Sequence, residues 1–241
     1  MKVTILPSPH DAITRTAGLI ADQVRAKPAS VLGLATGGTM ERVYDALTSA
    51  EDVDFAGVTT FNLDEYVGLS PGDPQSYHAY MQRHLFDRVP APFHRTHIPR
   101  GDVANLMAEA AAYEAAIHAA GGIDLQLLGI GTNGHIGFNE PDSPFDTRTR
   151  VVTLSDATRT ANSRYFNSLD AVPTQAVTMG IATILSAKRI VLLAVGSGKA
   201  GAVQRMIEGS ISPDCPASSL QRHHDVHVIL DQAAAALLAP K

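Results

Sequence analysis

Residues 123–141 read Ile-Asp-Leu-Gln-Leu-Leu-Gly-Ile-Gly-Thr-Asn-Gly-His-Ile-Gly-Phe-Asn-Glu-Pro. The opening run, 123–129, is almost wholly apolar and lies between Gly121-Gly122 and a glycine-rich loop. That is the pattern of a short strand covered on both faces. Gly129-Ile130-Gly131-Thr132-Asn133-Gly134 has the G-x-G-x-x-G spacing of a dinucleotide turn, and Asp156 stands at a suitable distance beyond it. Such a turn must open straight into a helix. Here Gly137, Pro141 and Pro144 follow closely, which leaves no room for one. The loop is therefore an irregular segment beyond a strand end, carrying His135 and Glu140 between Asn133 and Asn139.

Working outward, short apolar runs alternate with helical patterns. Strands are expected at 3–6, 31–35, 58–63, 123–129, 150–154, 190–195 and 226–230. Helices are expected at 9–26, 41–49, 76–86, 104–120, 174–185, 199–208 and 232–238. This alternation predicts an α/β fold with a doubly wound, mostly parallel, Rossmann-like sheet and helices on both faces. One domain over residues 1–241 is expected, with no internal repeat and no linker. In such folds ligands bind beyond the carboxyl ends of the strands. Thr36-Gly37-Gly38-Thr39, Asp64-Glu65, the 131–140 loop and Gly196-Ser197-Gly198-Lys199 all fall there.

The 241 residues are 45% hydrophobic and 18% charged, with a net charge of −5, so there is no general basic field for nucleic acid. The single cysteine, Cys215, excludes an internal disulfide and a cysteine-built zinc site, and reads as a small buried hydrophobe. The apolar start ends at Pro7, too early for a signal-peptide core, and no stretch has the length of a membrane span. A cytoplasmic protein without nucleic-acid or membrane partners is expected. His223-His224-x-x-His227 lacks a standard metal spacing and reads as an exposed loop; no metal is expected. Tyr77, Tyr80 and Met81 read as helix core.

Paired glycines before a helix let backbone N–H groups face an anion, so Thr36, Gly37, Gly38 and Thr39 suit a phosphate, although a plain tight turn has the same pattern. Gly196-Ser197-Gly198-Lys199 is not a nucleotide P-loop. Leu193 and Ala200 stand where that loop needs glycine and Ser or Thr. Lys199 can still place a charge on a phosphate, or it can be a solvated lysine. A histidine oriented by a carboxylate is a usual acid–base unit near neutral pH, and His135 with Glu140 fits it. Asp64 adds a second carboxylate at another strand end.

At these residues the chain resembles the glucosamine-6-phosphate deaminases. The resemblance rests on LGLATGGTM (32–40), TFNLDEYVGL (60–69), SYHAYM (76–81), LLGIGTNGHIGFNEP (127–141), TRTR (147–150) and ANSRYF (161–166), and runs from about Val3 to Leu230. It implies a sugar-phosphate isomerase type of fold and conversion of glucosamine 6-phosphate and water to fructose 6-phosphate and ammonia. No cofactor is implied, because the substrate's own carbonyl acidifies the C2 proton once the ring opens. By the resemblance Asp64 is the base at C2, His135 helps open the ring, and Glu140 orients it with Asn133 alongside. Thr36, Gly37, Gly38, Thr39, Gly131, Arg164 and Lys199 bind the substrate and its phosphate. The polar stretch 154–174 is expected to be a mobile lid that brings Arg164 to the phosphate.

Other members of that family carry Asp or Asn at the position of Asn133, and the neutral amide should support a charged His135 less. Allosteric members carry a basic pair after the FNEP motif and a longer tail. Here Val152 stands near Arg150 in place of lysine, so hyperbolic kinetics without activation by N-acetylglucosamine 6-phosphate, and a monomer rather than a hexamer, are expected. The alternatives are a galactosamine-6-phosphate deaminase or 6-phosphogluconolactonase of the same fold, or a sugar-phosphate sensor. A sensor has no use for Asp64, His135 and Glu140 together.

Overall fold

The computed structural model describes residues 1–50 and 52–240. Chain order is β1 (Lys2–Leu6), α1 (Pro9–Ala26), β2 (Val31–Leu34), α2 (Gly38–Thr48), β3 (Thr59–Asn62), β4 (Asp64–Tyr66), α3 (Tyr77–His84), β5 (Arg95–His97) and α4 (Leu106–Ala119). It continues through β6 (Leu125–Leu128), β7 (Arg150–Thr153), α5 (Asp156–Asn162), β8 (Gln175–Thr178), α6 (Ile181–Leu185), β9 (Arg189–Ala194), α7 (Ala200–Glu208) and β10 (Val226–Asp231). Short 3-10 turns occupy Phe86–Arg88, Ser163–Tyr165, Ser197–Lys199 and Pro216–Arg222.

Among the described residues, seven strands form one parallel sheet in the order β1-β10-β9-β6-β2-β3-β5. From β2 the chain winds outward through β3 to β5, then returns to β6 and winds the other way. The switch point lies between β2 and β6, so a crevice opens at their carboxyl ends. Strands β2, β6 and β9 are buried along nearly their whole length, as expected of a sheet covered by helices on both faces. Helix α1 packs on α2, β9 and β10. It starts sharply because Ser8 caps the Asp11 N–H and Pro9 supplies a preset first turn. Helix α4 lays Tyr113 edge-on against Phe61 at 5.6 Å.

A second, antiparallel sheet, β4-β8-β7, was not anticipated from sequence. It carries its own apolar cluster of Tyr66, Phe138, Leu154 and Ala176, with Tyr77 and Phe166 packed against it. Because of this sheet, the helix expected over 174–185 is in fact strand β8 followed by the short α6. Ala176, Val177 and Thr178 are buried between β4 and β7, and Gly180 separates strand from helix.

The helix expected over 232–238 is a run of turns. Asp231 organises it, its carboxylate accepting from the N–H groups of Ala234 and Gly196. Ala234 and Ala235 are buried against the core, but seven residues are too few to sustain a helix on alanine propensity alone. The exposed loop expected at the histidine cluster is also corrected at His223, which is buried. Its Nε2 donates to the Ala187 carbonyl at 2.7 Å and its Nδ1 accepts from the Asp225 N–H at 3.1 Å. Both ring nitrogens are thus spent on structure. No helix among the described residues is long and apolar enough to cross a membrane.

Candidate active site

The turn after β2 opens directly into α2. Gly37 has φ 121°, a conformation that strains any residue with a Cβ, and no side chain caps the helix. The first N–H groups of α2 are therefore available to an anion from the crevice. Two tyrosines brace the turn: Tyr44 donates to the Ala35 carbonyl at 2.5 Å and Tyr80 to that of Gly37 at 2.9 Å. Tyr80 is thus more than helix core, whereas Met81 is fully buried as expected.

The turn after β9 brings Lys199 to the same region. Arg164 arrives from the 3-10 turn Ser163–Tyr165, its guanidinium 4.7 Å from the Tyr165 ring centre. Burial, and then the charge of Arg164, hold the Lys199 ammonium below its ordinary range. Among the described residues no carboxylate pairs with either cation. Two like charges held together without a counter-ion are unfavourable until an anion joins them. The Tyr165 hydroxyl sits where a Cβ on Gly38 would be 3.2 Å away, so the same turn overhangs the glycine pair.

The loop after β6 holds Asn133, His135 and Glu140. Asn133 Nδ2 donates to Glu140 Oε2 at 2.8 Å, and Asn133 Oδ1 accepts from the His135 N–H at 3.2 Å. His135 Nδ1 lies 2.7 Å from the same Oδ1, whereas Glu140 Oε2 is 3.8 Å away. The direct His135–Glu140 pairing expected from sequence is therefore corrected to a relay, with Asn133 interposed. Since the amide nitrogen must face Glu140, Oδ1 must accept from the ring. Nδ1 then carries the proton and Nε2 is left as the basic nitrogen. Burial lowers the His135 pKa, the charge of Glu140 opposes this, and Lys199 lowers it further. A neutral imidazole follows. Gly131 gives this ring its bed: a Cβ there would lie 2.2 Å from His135 Cε1. Cys215 packs under the loop, buried against Gly134.

Asp64 begins β4, just past the end of β3, and is buried. Burial, and secondarily the charge of Glu65, raise its carboxyl to about 8. Gly137 passes close by, because a Cβ there would be 3.4 Å from Asp64 Oδ2 and 3.1 Å from Thr178 Oγ1. Asn139 pins this approach. Its Nδ2 donates to the carbonyls of Ile136 at 2.9 Å and Met179 at 2.8 Å, while Oδ1 accepts from Arg150 at 2.8 Å. Glu65 is occupied elsewhere, accepting from the N–H groups of Tyr66, Tyr77 and His78 and lying 2.8 Å from His78 Nδ1. Glu65 thus caps the start of α3, and Asp64 does not.

Sequence reasoning missed Ser155 and Thr158, whose hydroxyls both reach Glu140 Oε1, and Tyr165. The only local signal was Ser155 as the cap of a short helix.

The relay changes the outlook for Asn133. An aspartate there would set a second carboxylate against Glu140 in place of a donor. Asn133→Asp should therefore shift the acidic limb of the pH–rate profile and lower turnover by about tenfold, since like charges in contact hold one another protonated. An unchanged profile, measured over the full pH range, would remove Asn133 from the relay.

The crevice thus combines an uncapped helix N-terminus, two unneutralised cations, a neutral histidine on a relay and a buried carboxyl with a raised pKa. Residues 9–229 match the family described as glucosamine-6-phosphate isomerases/6-phosphogluconolactonase. The chain is 54% identical over 241 residues to the glucosamine-6-phosphate deaminase of Rhodopirellula baltica, covering 99% of this chain and 96% of that one. It is 50% identical over 240 residues to glucosamine-6-phosphate deaminase 1 of Bacillus subtilis, covering 98% and 99%. A solved structure of a monomeric glucosamine-6-phosphate deaminase superposes with a TM-score of 0.95 at 50% identity, covering 98% of this chain and all of that one. The chain belongs to the glucosamine-6-phosphate isomerase/6-phosphogluconolactonase family.

Proposed function

We propose that this chain converts glucosamine 6-phosphate and water to fructose 6-phosphate and ammonia. The observation that carries this reading is the buried Asp64 carboxyl beside Gly137, on the same loop as the Glu140–Asn133–His135 relay. The phosphate lies on Gly37, Gly38 and Thr39 between Lys199 and Arg164, with Thr36 in the same turn. Its binding fixes the sugar at a point remote from the reacting carbons.

The neutral His135, basic at Nε2, takes the proton of the C1 hydroxyl and returns it to the ring oxygen as the C1–O5 bond breaks. The open chain then presents its aldehyde next to C2. Asp64 removes the C2 proton, and the bonding pair forms the C1–C2 double bond as the carbonyl π pair moves to O1, which takes a proton from the C2 ammonium to give an enolamine. Asp64 returns that proton to C1, which leaves an imine at C2. Water adds to C2 and ammonia leaves. A carboxyl with a pKa of about 8 is a poor base in the empty site, but the substrate's ammonium group brings the positive charge that ionises it. Residues 154–174 act as the lid carrying Arg164. A charged sugar phosphate is held inside cells, so we assign the activity to the cytoplasm.

Purified protein in chelator, supplied with glucosamine 6-phosphate, should release ammonia and fructose 6-phosphate in equal amounts. Binding of the sugar phosphate with no product would favour the sensor. Turnover only of the C4 epimer or of the lactone would favour the alternative enzymes. We further propose a monomer with hyperbolic kinetics, because Arg150 is spent on Asn139 and Val152 offers no charge beside it. Sedimentation should give one species near 25.5 kDa. A sigmoidal rate curve straightened by N-acetylglucosamine 6-phosphate would refute it.

A further inference from the structure

We propose that Thr158, assisted by Ser155, is a positioning residue that holds Glu140 in line with Asn133 and His135, so that the acid–base relay is complete only when helix α5 is docked. This inference rests on the role assigned to Glu140 above.

The two oxygens of Glu140 face different parts of the chain. Oε2 accepts from Asn133 within its own loop at 2.8 Å. Oε1 accepts from the Thr158 hydroxyl and, at 3.1 Å, from the Ser155 hydroxyl. Both hydroxyls belong to the first turn of α5, where Ser155 also accepts from the Thr158 N–H at 3.2 Å. Thr158 is buried, so this contact is made away from bulk water, where a charge-assisted hydrogen bond orients strongly.

The same segment is docked at three further points. Leu154 is buried in the second apolar cluster, Asn162 donates to the Tyr66 hydroxyl at 2.9 Å, and Tyr165 overhangs Gly38. Withdrawal of α5 would take both donors from Oε1 and free the carboxylate to rotate. Asn133 would then lose its fixed acceptor, and His135 Nδ1 its fixed partner. One segment therefore brings the phosphate cation Arg164 and aligns the carboxylate of the relay. Closing on the phosphate and assembling the acid–base groups become a single event.

A merely structural role and a positioning role separate in the kinetics. Loosening the segment would move Arg164 away from the phosphate and raise KM. Misaligning Glu140 would lower kcat with substrate still bound. Thr158→Val keeps the shape and removes the hydroxyl. It should lower kcat by about tenfold and leave KM within about twofold, and Thr158→Ser should recover most of the loss. In a Glu140→Gln background, Thr158→Val should cost less than about twofold, because the two side chains act as one unit. Thr158→Ala provides the same comparison if the valine variant melts early.

Wild-type kcat in Thr158→Val, a rise in KM alone, or an equal loss in the Glu140→Gln background would each overturn the proposal while leaving Glu140 in its role. Full activity of Glu140→Gln itself would overturn both.

Discussion

Asp64→Asn is expected to lower kcat by about a thousandfold or more and to raise the melting temperature of the protein. The first effect follows from removing the group proposed to carry the proton between C2 and C1. Solvent deuterium should correspondingly cease to enter C1 of the product, while the phosphate still binds. The second effect follows from burial. In the unfolded chain this carboxyl titrates near its ordinary 3.8, and in the folded protein near 8. The folded state thus retains a proton that the unfolded state has already lost. Stability from that proton is full below the unfolded value, is lost progressively as pH rises, and is gone above the folded value. The variant should therefore match the wild type at about pH 4, gain steadily to about pH 8, and hold a constant lead of several degrees beyond that. In the wild type, the acidic limb of kcat/KM should lie near pH 8, set by the free enzyme, and that of kcat lower, set by the complex with a cationic sugar. Equal melting curves across the range would mean that Asp64 is not held protonated. Retained turnover would remove it from the chemistry.

Removing the cations proposed to hold the phosphate should have the next largest effect. Lys199→Ala and Arg164→Ala are each expected to raise KM by about 10- to 100-fold, the value of one charged hydrogen bond to phosphate. The inhibition constant of inorganic phosphate should rise in parallel, because it probes the same contacts without the sugar. Lys199 is the more buried of the two and lies close enough to His135 to depress its pKa. Its removal should therefore also raise the histidine pKa, moving a limb of the pH profile that Arg164→Ala leaves in place. The double variant should lose less than the product of the single losses, since each cation alone is freed from the repulsion of the other. A KM unchanged in both variants would relocate the phosphate.

Both predictions draw on residues visible in the sequence, and the reason is local. An apolar run such as 123–129 between glycines can hardly be anything but a covered strand, and a glycine pair such as Gly37-Gly38 before a helical pattern marks a turn open to an anion. The rule that ligands bind at strand ends then brings Asp64, His135, Glu140 and Lys199 to one side of the sheet before any contact is known. Failures came where the deciding partner lies far along the chain. Gln175–Thr178 has no strand signature that a helix could not share, and becomes a strand because β4 and β7 flank it. His223 reads as a loop residue until the Ala187 carbonyl reaches its ring.

What the sequence determined by itself was the α/β alternation, the strand-end loops and the residue types able to hold a phosphate and move a proton. These depend on periodicity, glycine placement and side-chain chemistry, all of which act over a few residues. Only the tertiary structure decided that Gly137 approaches Asp64, that Asn133 stands between His135 and Glu140, and that Thr158 and Ser155 close on the remaining oxygen of that glutamate. Each is a matter of strand register or loop path to within an ångström or two. Hydrogen bonds and ionisation respond to distances on that scale, and no local pattern of residues specifies them.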